Sequence, residues 1–281
     1  MSGQAPASTR PDCTIDQDWD AYTGAEHAIW RTLFERQTKL LAGRACEEFL
    51  SGISTLAVTA DRIPDFRRLN DILRRATGWR IVAVPGLVPD DVFFGHLAAR
   101  RFPATCFIRR PDQLDYIAEP DVFHDVFGHV PLLANPVFGD YMQAYGAGGL
   151  KALGLGSLHR LARLYWYTVE FGLIRTPRGL RIYGSGIASS KGESVYCLDS
   201  PRPNRIGFDL LRVMRTAYRI DDFQQTYFVI DSFDQLFDAT RPDFTPSYAR
   251  LRSMADLAPG DVLADDAVID RGQPAETSAA R

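Results

Sequence analysis

The run "LHRLARLYWYTVEFGLI", from Leu158 to Ile174, constrains the fold more than any other stretch. At about 100° per residue, Leu158, Leu161, Ala162, Tyr165, Trp166, Val169 and Leu173 share one broad apolar face of a predicted helix. Such a face is stable only against a core, so other elements have to pack over it. Glu170 lies at the edge of that face, where a carboxylate costs free energy unless something cationic meets it. An arginine such as Arg163, or plain exposure to water, would satisfy it without any functional meaning.

The rest of the chain supplies a core of the right size. With 281 residues, 46% of them hydrophobic, it can bury one large core or two modest ones. A net charge of −3 leaves no electrostatic footprint for nucleic acid, which points to a small-molecule partner. Cys13, Cys46, Cys106 and Cys197 lie far apart with no Cys-x-x-Cys pair, which argues against a thiolate zinc site or a redox dithiol and fits the reduced thiols of a cytoplasmic protein. "MSGQAPASTRPD" has no apolar run of signal-peptide length, and nowhere do about 18 consecutive apolar residues indicate a membrane span. Residues 1–18 and 258–281 read as loose tails around a single domain, 19–257.

Helical signals dominate that domain. Thr23 and Glu26 form a capping box ahead of "HAIWRTLFERQTKLLA", and Pro64 opens "PDFRRLNDILRRATG" with Gly78 as its stop. "RIVAVPG", "ATCFIRR", "GLRIYGSG" and "QTYFVID" read as short strands. The expected class is α+β, predominantly helical, with two small sheets.

Asp121 to Leu132, "DVFHDVFGHVPL", holds His124 and His129, whereas His27, His96 and His159 are scattered. On an unbroken α-helix, five residues put two imidazoles roughly 140° apart, so no single atom could touch both. The helix predicted from Asp121 is therefore expected to stop around Gly128, ahead of Pro131, freeing His129 to swing back. Two unrelated histidines would read the same way. Joined by Glu170, they would form a facial triad of the kind that cradles non-haem Fe(II). Zinc is the rival metal. The zinc-peptidase pattern, however, needs histidines at i and i+4 with a glutamate after the first, whereas here the spacing is five and Asp125 follows.

The blocks "EPDVFHDVFGHVPLL", "YWYTVEFGL" and "YGSGIASSKGE", in this order and spacing, resemble the pterin-dependent aromatic amino acid hydroxylases, most closely their bacterial phenylalanine-hydroxylating members. The likeness covers nearly the whole core. It implies that family's mainly helical α+β catalytic domain, with His124, His129 and Glu170 as iron ligands. By the same resemblance, Arg109 in "CFIRR" clamps the substrate carboxylate, Ser189 lies near that carboxylate and the ligands, and Trp166 lines the ring pocket. Taken alone, Arg109 would read as a solvated charge and Trp166 as core. Phe93 matches the aromatic that stacks on the pterin, and the stretch from Gly86 through Val88 to Asp90 would offer it backbone groups. Glu119 and Tyr165 match residues near cofactor and iron. Ile220 stands where tyrosine-hydroxylating members carry an acidic residue.

The implied activity is hydroxylation of L-phenylalanine to L-tyrosine with O2, Fe(II) and tetrahydrobiopterin or a related tetrahydropterin, the first step of phenylalanine catabolism. The same chemistry on tryptophan or tyrosine is one alternative, and an inactive metal-stabilised binding protein is another. Two positions depart from the animal members: Ile117, in "YIAEPD" where they have "YTPEPD", and Asp125 in place of glutamate. The chain has no room for their regulatory domain or tetramerisation helix, so a monomer is expected.

Overall fold

The computed structural model describes residues 9–273. Helix α1 (Gly24–Leu41) starts as its sequence signature demands: the Thr23 hydroxyl accepts from Glu26 N at 3.2 Å, while the Glu26 carboxylate accepts from Thr23 N at 2.7 Å. α2 (Glu47–Thr55) and α3 (Phe66–Ala76) follow. Asp65 caps α3 one residue after Pro64, and Gly78, at φ +78°, ends it. Strands β1 (Arg80–Val84) and β2 (Arg101–Thr105) pair in parallel around α4 (Asp90–Ala98), in register from Arg80↔Arg101 to Val84↔Thr105.

The strand expected over "ATCFIRR" thus lies several residues earlier. It ends at Thr105 because an Asp125 carboxylate oxygen takes both the Thr105 amide, at 2.7 Å, and its hydroxyl, at 2.8 Å.

A π-helical turn, Phe123–His129, runs into α5 (Val130–Leu133) and then α6 (Pro136–Gly154). α7 (Leu158–Tyr165) ends in a second π turn, Trp166–Glu170. The helix expected to reach Ile174 therefore stops four residues short. A Cβ on Gly172 would lie 2.4 Å from Thr168 O and 2.1 Å from the Tyr183 ring, and beyond it Leu173 and Ile174 pair with Val229 and Ile230. A buried ladder wins over helical periodicity.

That ladder belongs to the second sheet. β3 (Leu173–Thr176), β4 (Gly179–Ile182), β5 (Asn204–Gly207), β6 (Thr226–Ile230) and β7 (Val268–Asp270) stand in the order β4-β3-β6-β5-β7, with β3, β6 and β5 parallel to one another. Between and beyond these strands lie α8 (Ser185–Ser189), α9 (Lys191–Asp199), α10 (Leu210–Arg215), α11 (Phe233–Thr240) and α12 (Thr245–Leu251).

One cluster of buried residues runs from Trp30 to Leu251. At its centre the Phe123 and Phe127 rings stack 4.7 Å apart, with Trp30 edge-on to Phe123 at 5.4 Å and Phe49 edge-on to Phe127 at 5.9 Å. Each such ring contributes roughly 1.5–3 kcal/mol by burial, and together they pin the back of the first π turn to α1 and α2.

The segments expected to be loose are packed where they are described. Ile15 bridges Ala83, and His96 Nε2 lies 2.8 Å from Asp12 O. Asp266 pairs with Arg212 at 2.8 Å, the two side chains 3% and 5% exposed, just before β7 adds to β5. Asp266 finds its charge partner across the fold, which local composition does not reveal. The remaining tail residues, 1–8 and 274–281, lie outside the described residues. Among the described residues no helix is long and apolar enough to cross a membrane.

Candidate metal centre

His124 and His129 do come together, by a route other than the expected helix stop. In a π-helix the backbone bonds i to i+5, so residues five apart stand one above the other. Widening the turn between Phe123 and His129 therefore puts both imidazoles on one side without ending the helix. Gly128 serves a close approach: a Cβ there would lie 2.9 Å from Ser185 O. The second π turn, closed by Phe171 N donating to Trp166 O at 2.8 Å, delivers Glu170 from the other side.

The three side chains place one ligand atom each within 4.8 Å of the others. His124 Nε2 and His129 Nε2 are 3.1 Å apart, Glu170 Oε1 is 3.1 Å from His129 Nε2, and Glu170 Oε2 is 3.7 Å from His124 Nε2. Two ligands held at about 2.1 Å from one ion stand about 3.0 Å apart at right angles and about 3.4 Å apart at the tetrahedral angle. The spacing fits residues that share one divalent cation.

The proton positions fit as well. Ser189 has one hydroxyl proton, which goes to Ser185 O at 2.8 Å, so Ser189 Oγ accepts from His124 Nδ1 at 2.9 Å. This leaves His124 Nε2 as a bare lone pair turned into the triad. Burial alone would raise the Glu170 carboxyl, but whatever positive charge the two imidazoles carry before a cation is bound, with hydrogen bonds from His129 and Ser185, draws it down to about 2. Glu170 is thus a carboxylate at neutral pH, as a ligand has to be.

Arg109 is buried, 5% exposed, and already engaged. Its Nε and Nη2 grip the two oxygens of Asp121 at 2.8 and 2.9 Å, and its backbone N reaches Asp121 Oδ2 at 2.9 Å. Asp121 is fully buried and also accepts from His124 N at 3.0 Å. Burial works to raise its carboxyl, and the Arg109 guanidinium outweighs this and holds it below the usual range. The bidentate edge expected to face a ligand thus belongs to Asp121, and Nη1, 3.4 Å from Leu114 O, lies on the outer edge.

The aromatic residues form two groups. Phe93 lies edge-on to Tyr165 at 6.0 Å, and Tyr165 in turn stacks towards His129 at 6.2 Å. Trp166 packs between Tyr218, at 4.4 Å, and Phe171, at 4.7 Å. Glu119 reaches Gly86, where a Cβ would lie 3.1 Å from its Oε1. Val88 is half-buried in the same loop, and Asp90, exposed, opens α4. Ile220 is 72% exposed on the loop after α10. Asp125, buried against Thr105, has its carboxyl pushed up by burial.

Sequence reasoning passed over Asp121, which orients Arg109, and Ser185, whose Oγ lies 3.0 Å from Glu170 Oε2 and 3.1 Å from His129 Nε2. The available signals were the acidic residue three before His124 and the paired serines of "SGIASS".

Comparison with known proteins gives the family and the fold. A family model described as biopterin-dependent aromatic amino acid hydroxylase matches residues 19–250. Phenylalanine-4-hydroxylase of Ralstonia nicotianae is 69% identical over 263 residues, with 94% of this chain and 84% of that protein covered. The Chromobacterium violaceum phenylalanine hydroxylase, in a crystal structure with bound iron(III) and oxidised cofactor 7,8-dihydrobiopterin, superposes with a TM-score of 0.89 at 65% identity, covering 92% of this chain and 93% of that one. A structure of the same enzyme with iron and phenylalanine gives 0.88 at 64% identity, over 92% and 94% of the two chains. This chain belongs to the biopterin-dependent aromatic amino acid hydroxylases.

Proposed function

We propose that this chain is an iron- and tetrahydropterin-dependent monooxygenase that converts L-phenylalanine and O2 to L-tyrosine, with His124, His129 and Glu170 holding Fe(II). The observation that carries the reading is the convergence of these three residues with His124 Nδ1 committed to Ser189. Two imidazoles and one carboxylate occupy one face of an ion and leave the other face for reactants. When bound, iron and tetrahydropterin supply the two-electron activation of O2 that no amino-acid side chain can perform.

The chain's own residues bind, orient and exclude water. Arg109, held in place by Asp121, offers its outer N–H groups to the substrate carboxylate. Trp166 bounds the aromatic ring, and Ser189 keeps the His124 proton off the ligand nitrogen. Phe93 gives the pterin a stacking face, with backbone groups of Gly86, Val88 and Asp90 and the Glu119 carboxylate along its edge. Tyr165 fills the space between Phe93 and His129. We further infer a cytoplasmic monomer acting at the first step of phenylalanine catabolism. Four cysteines free of disulfides support that compartment.

The test is metal analysis of the purified protein, followed by direct measurement of hydroxylated product from phenylalanine, tyrosine and tryptophan under one set of pterin and oxygen conditions. About one iron per chain and the highest kcat/KM for phenylalanine are expected. Full turnover with zinc alone would remove the iron, and a preference for tryptophan would remove the substrate assignment.

A further inference from the structure

The loop from Ala217 to Gln225 has no regular structure, yet one buried side chain holds it. Gln224 is 4% exposed. Its Oε1 accepts the indole N–H of Trp166 at 2.8 Å, and its Nε2 donates to the carbonyls of Arg219 and Asp222 at 3.1 and 3.4 Å. Its backbone N donates to Glu193 Oε1 at 3.3 Å, and the same oxygen accepts the Tyr227 hydroxyl.

Three pieces of chain meet at this one residue, two at its side-chain amide and one at its backbone N–H. Trp166 opens the π turn that ends at Glu170. Glu193 sits in the first turn of α9, directly after the helix whose last residue, Ser189, bonds His124. The Arg219–Asp222 turn carries Ile220, and the neighbouring Tyr218 ring lies flat on Trp166 at 4.4 Å and 13°. The loop is therefore cross-braced to the turn that delivers Glu170 and to the helix that follows Ser189.

We propose that Gln224 is a positioning residue that ties Trp166 to the Arg219–Asp222 turn and so fixes the orientation of the Trp166 ring, against which the aromatic substrate packs. The inference rests on the reading of the site as an aromatic amino acid hydroxylase. A primary amide is the neutral side chain that presents an acceptor and two donors in one plane, which is what an indole N–H and two carbonyls require together. A carboxylate could still hold the indole but would have no donor for the turn. An apolar side chain of equal length would leave the indole held by stacking alone.

The test uses the iron-loaded enzyme with tetrahydropterin and two variants, Gln224→Met and Gln224→Glu. Gln224→Met should lower the ratio of kcat/KM for phenylalanine over tryptophan about tenfold and lower the tyrosine formed per pterin consumed, with iron content unchanged. In protein labelled with ring-fluorinated tryptophan, the Trp166 fluorine resonance, assigned by its loss in Trp166→Phe, should be single and sharp in the wild type. It should broaden or split in Gln224→Met and sharpen again in Gln224→Glu, where selectivity stays impaired. An unchanged resonance and an unchanged selectivity ratio in Gln224→Met overturn the proposal. If Gln224→Met does not fold, wild-type selectivity in Gln224→Glu overturns it. A wild type that makes no tyrosine refutes the proposed function instead, and the fluorine resonance still decides whether Gln224 fixes Trp166.

Discussion

His124 Nδ1 lies 2.9 Å from Ser189 Oγ, whose own proton is committed to Ser185 O, so a residue 65 positions downstream decides which nitrogen of His124 is free. Ser189→Ala removes the acceptor and lets the imidazole choose either tautomer. Iron should then bind about 10- to 100-fold more weakly, with circular dichroism unchanged. Titration against a competing chelator measures this, and equal affinity in the variant would show that the tautomer is set elsewhere.

Glu170 is the one carboxylate of the triad, and Glu170→Ala should strip most of the iron. Because a ligand that binds only the folded state stabilises it, Fe(II) at about a hundred times its Kd should add about 2.7 kcal/mol to the wild type. The variant should gain almost nothing. Thermal melts with and without Fe(II) under anaerobic conditions compare the two, and an equal upward shift in Glu170→Ala counts against Glu170 as a ligand.

Arg109→Ala should act twice. Losing the charged clamp should raise the KM for phenylalanine, with roughly 2–5 kcal/mol lost from kcat/KM. It also leaves Asp121, with no exposed surface, without its cation, which should destabilise the fold by about 3–5 kcal/mol. Arg109→Lys should recover little of either, since a point charge cannot span both Asp121 oxygens and an outer ligand. Wild-type kinetics in Arg109→Ala would place the clamp elsewhere, and wild-type denaturation would contradict the buried pair.

Glu193 gives the stability a distinct pH dependence. Burial drives its carboxyl from the ordinary 4.5 up to about 7, against partial relief from the Tyr227 hydroxyl and the Gln224 amide. With the folded value above the unfolded one, the folded state holds the extra proton. This contribution is fully present below pH 4.5 and is lost as the pH rises through 7. Glu193→Gln keeps the acceptor for Tyr227 and stays neutral, so relative to the wild type it should gain on the order of 3 kcal/mol at about pH 8 and nothing at about pH 4. Urea unfolding at both pH values measures the difference, and parallel pH profiles would refute the shift.

The identity of the clustered residues was legible in the sequence, and the mechanism of their clustering was not. Types and spacing made His124, His129 and Glu170 candidates and the resemblance of their blocks to a known family named them, but the turn that unites the histidines depends on packing. It is held open by the Phe123 and Phe127 stack against Trp30 and Phe49 and by the contact of Gly128 with Ser185, all contributed by residues far apart in the chain. The helix over "LHRLARLYWYTVEFGLI" was legible up to Glu170 and lost beyond it, because β6 competes for Leu173 and Ile174. Asp121 and Gln224 look like ordinary surface residues in one dimension. Their roles exist only through partners, Arg109 for one and Trp166, 58 positions away, for the other. The C-terminal strand was missed for the same reason.

The first π turn amounts to an α-helix with a single residue too many, and that opens the histidine pair to a change of chain length, which point substitutions do not probe. Deleting any one residue between His124 and His129 would let the segment relax to α-helical phase with the histidines at i and i+4, still facing one way. Val130 and Leu133, both fully buried, follow His129 directly and would keep their facing towards the core. The surplus residue is thus absorbed where it stands: the rod widens at the point where it aims two ligands together and meets the core further along as an unwidened helix would.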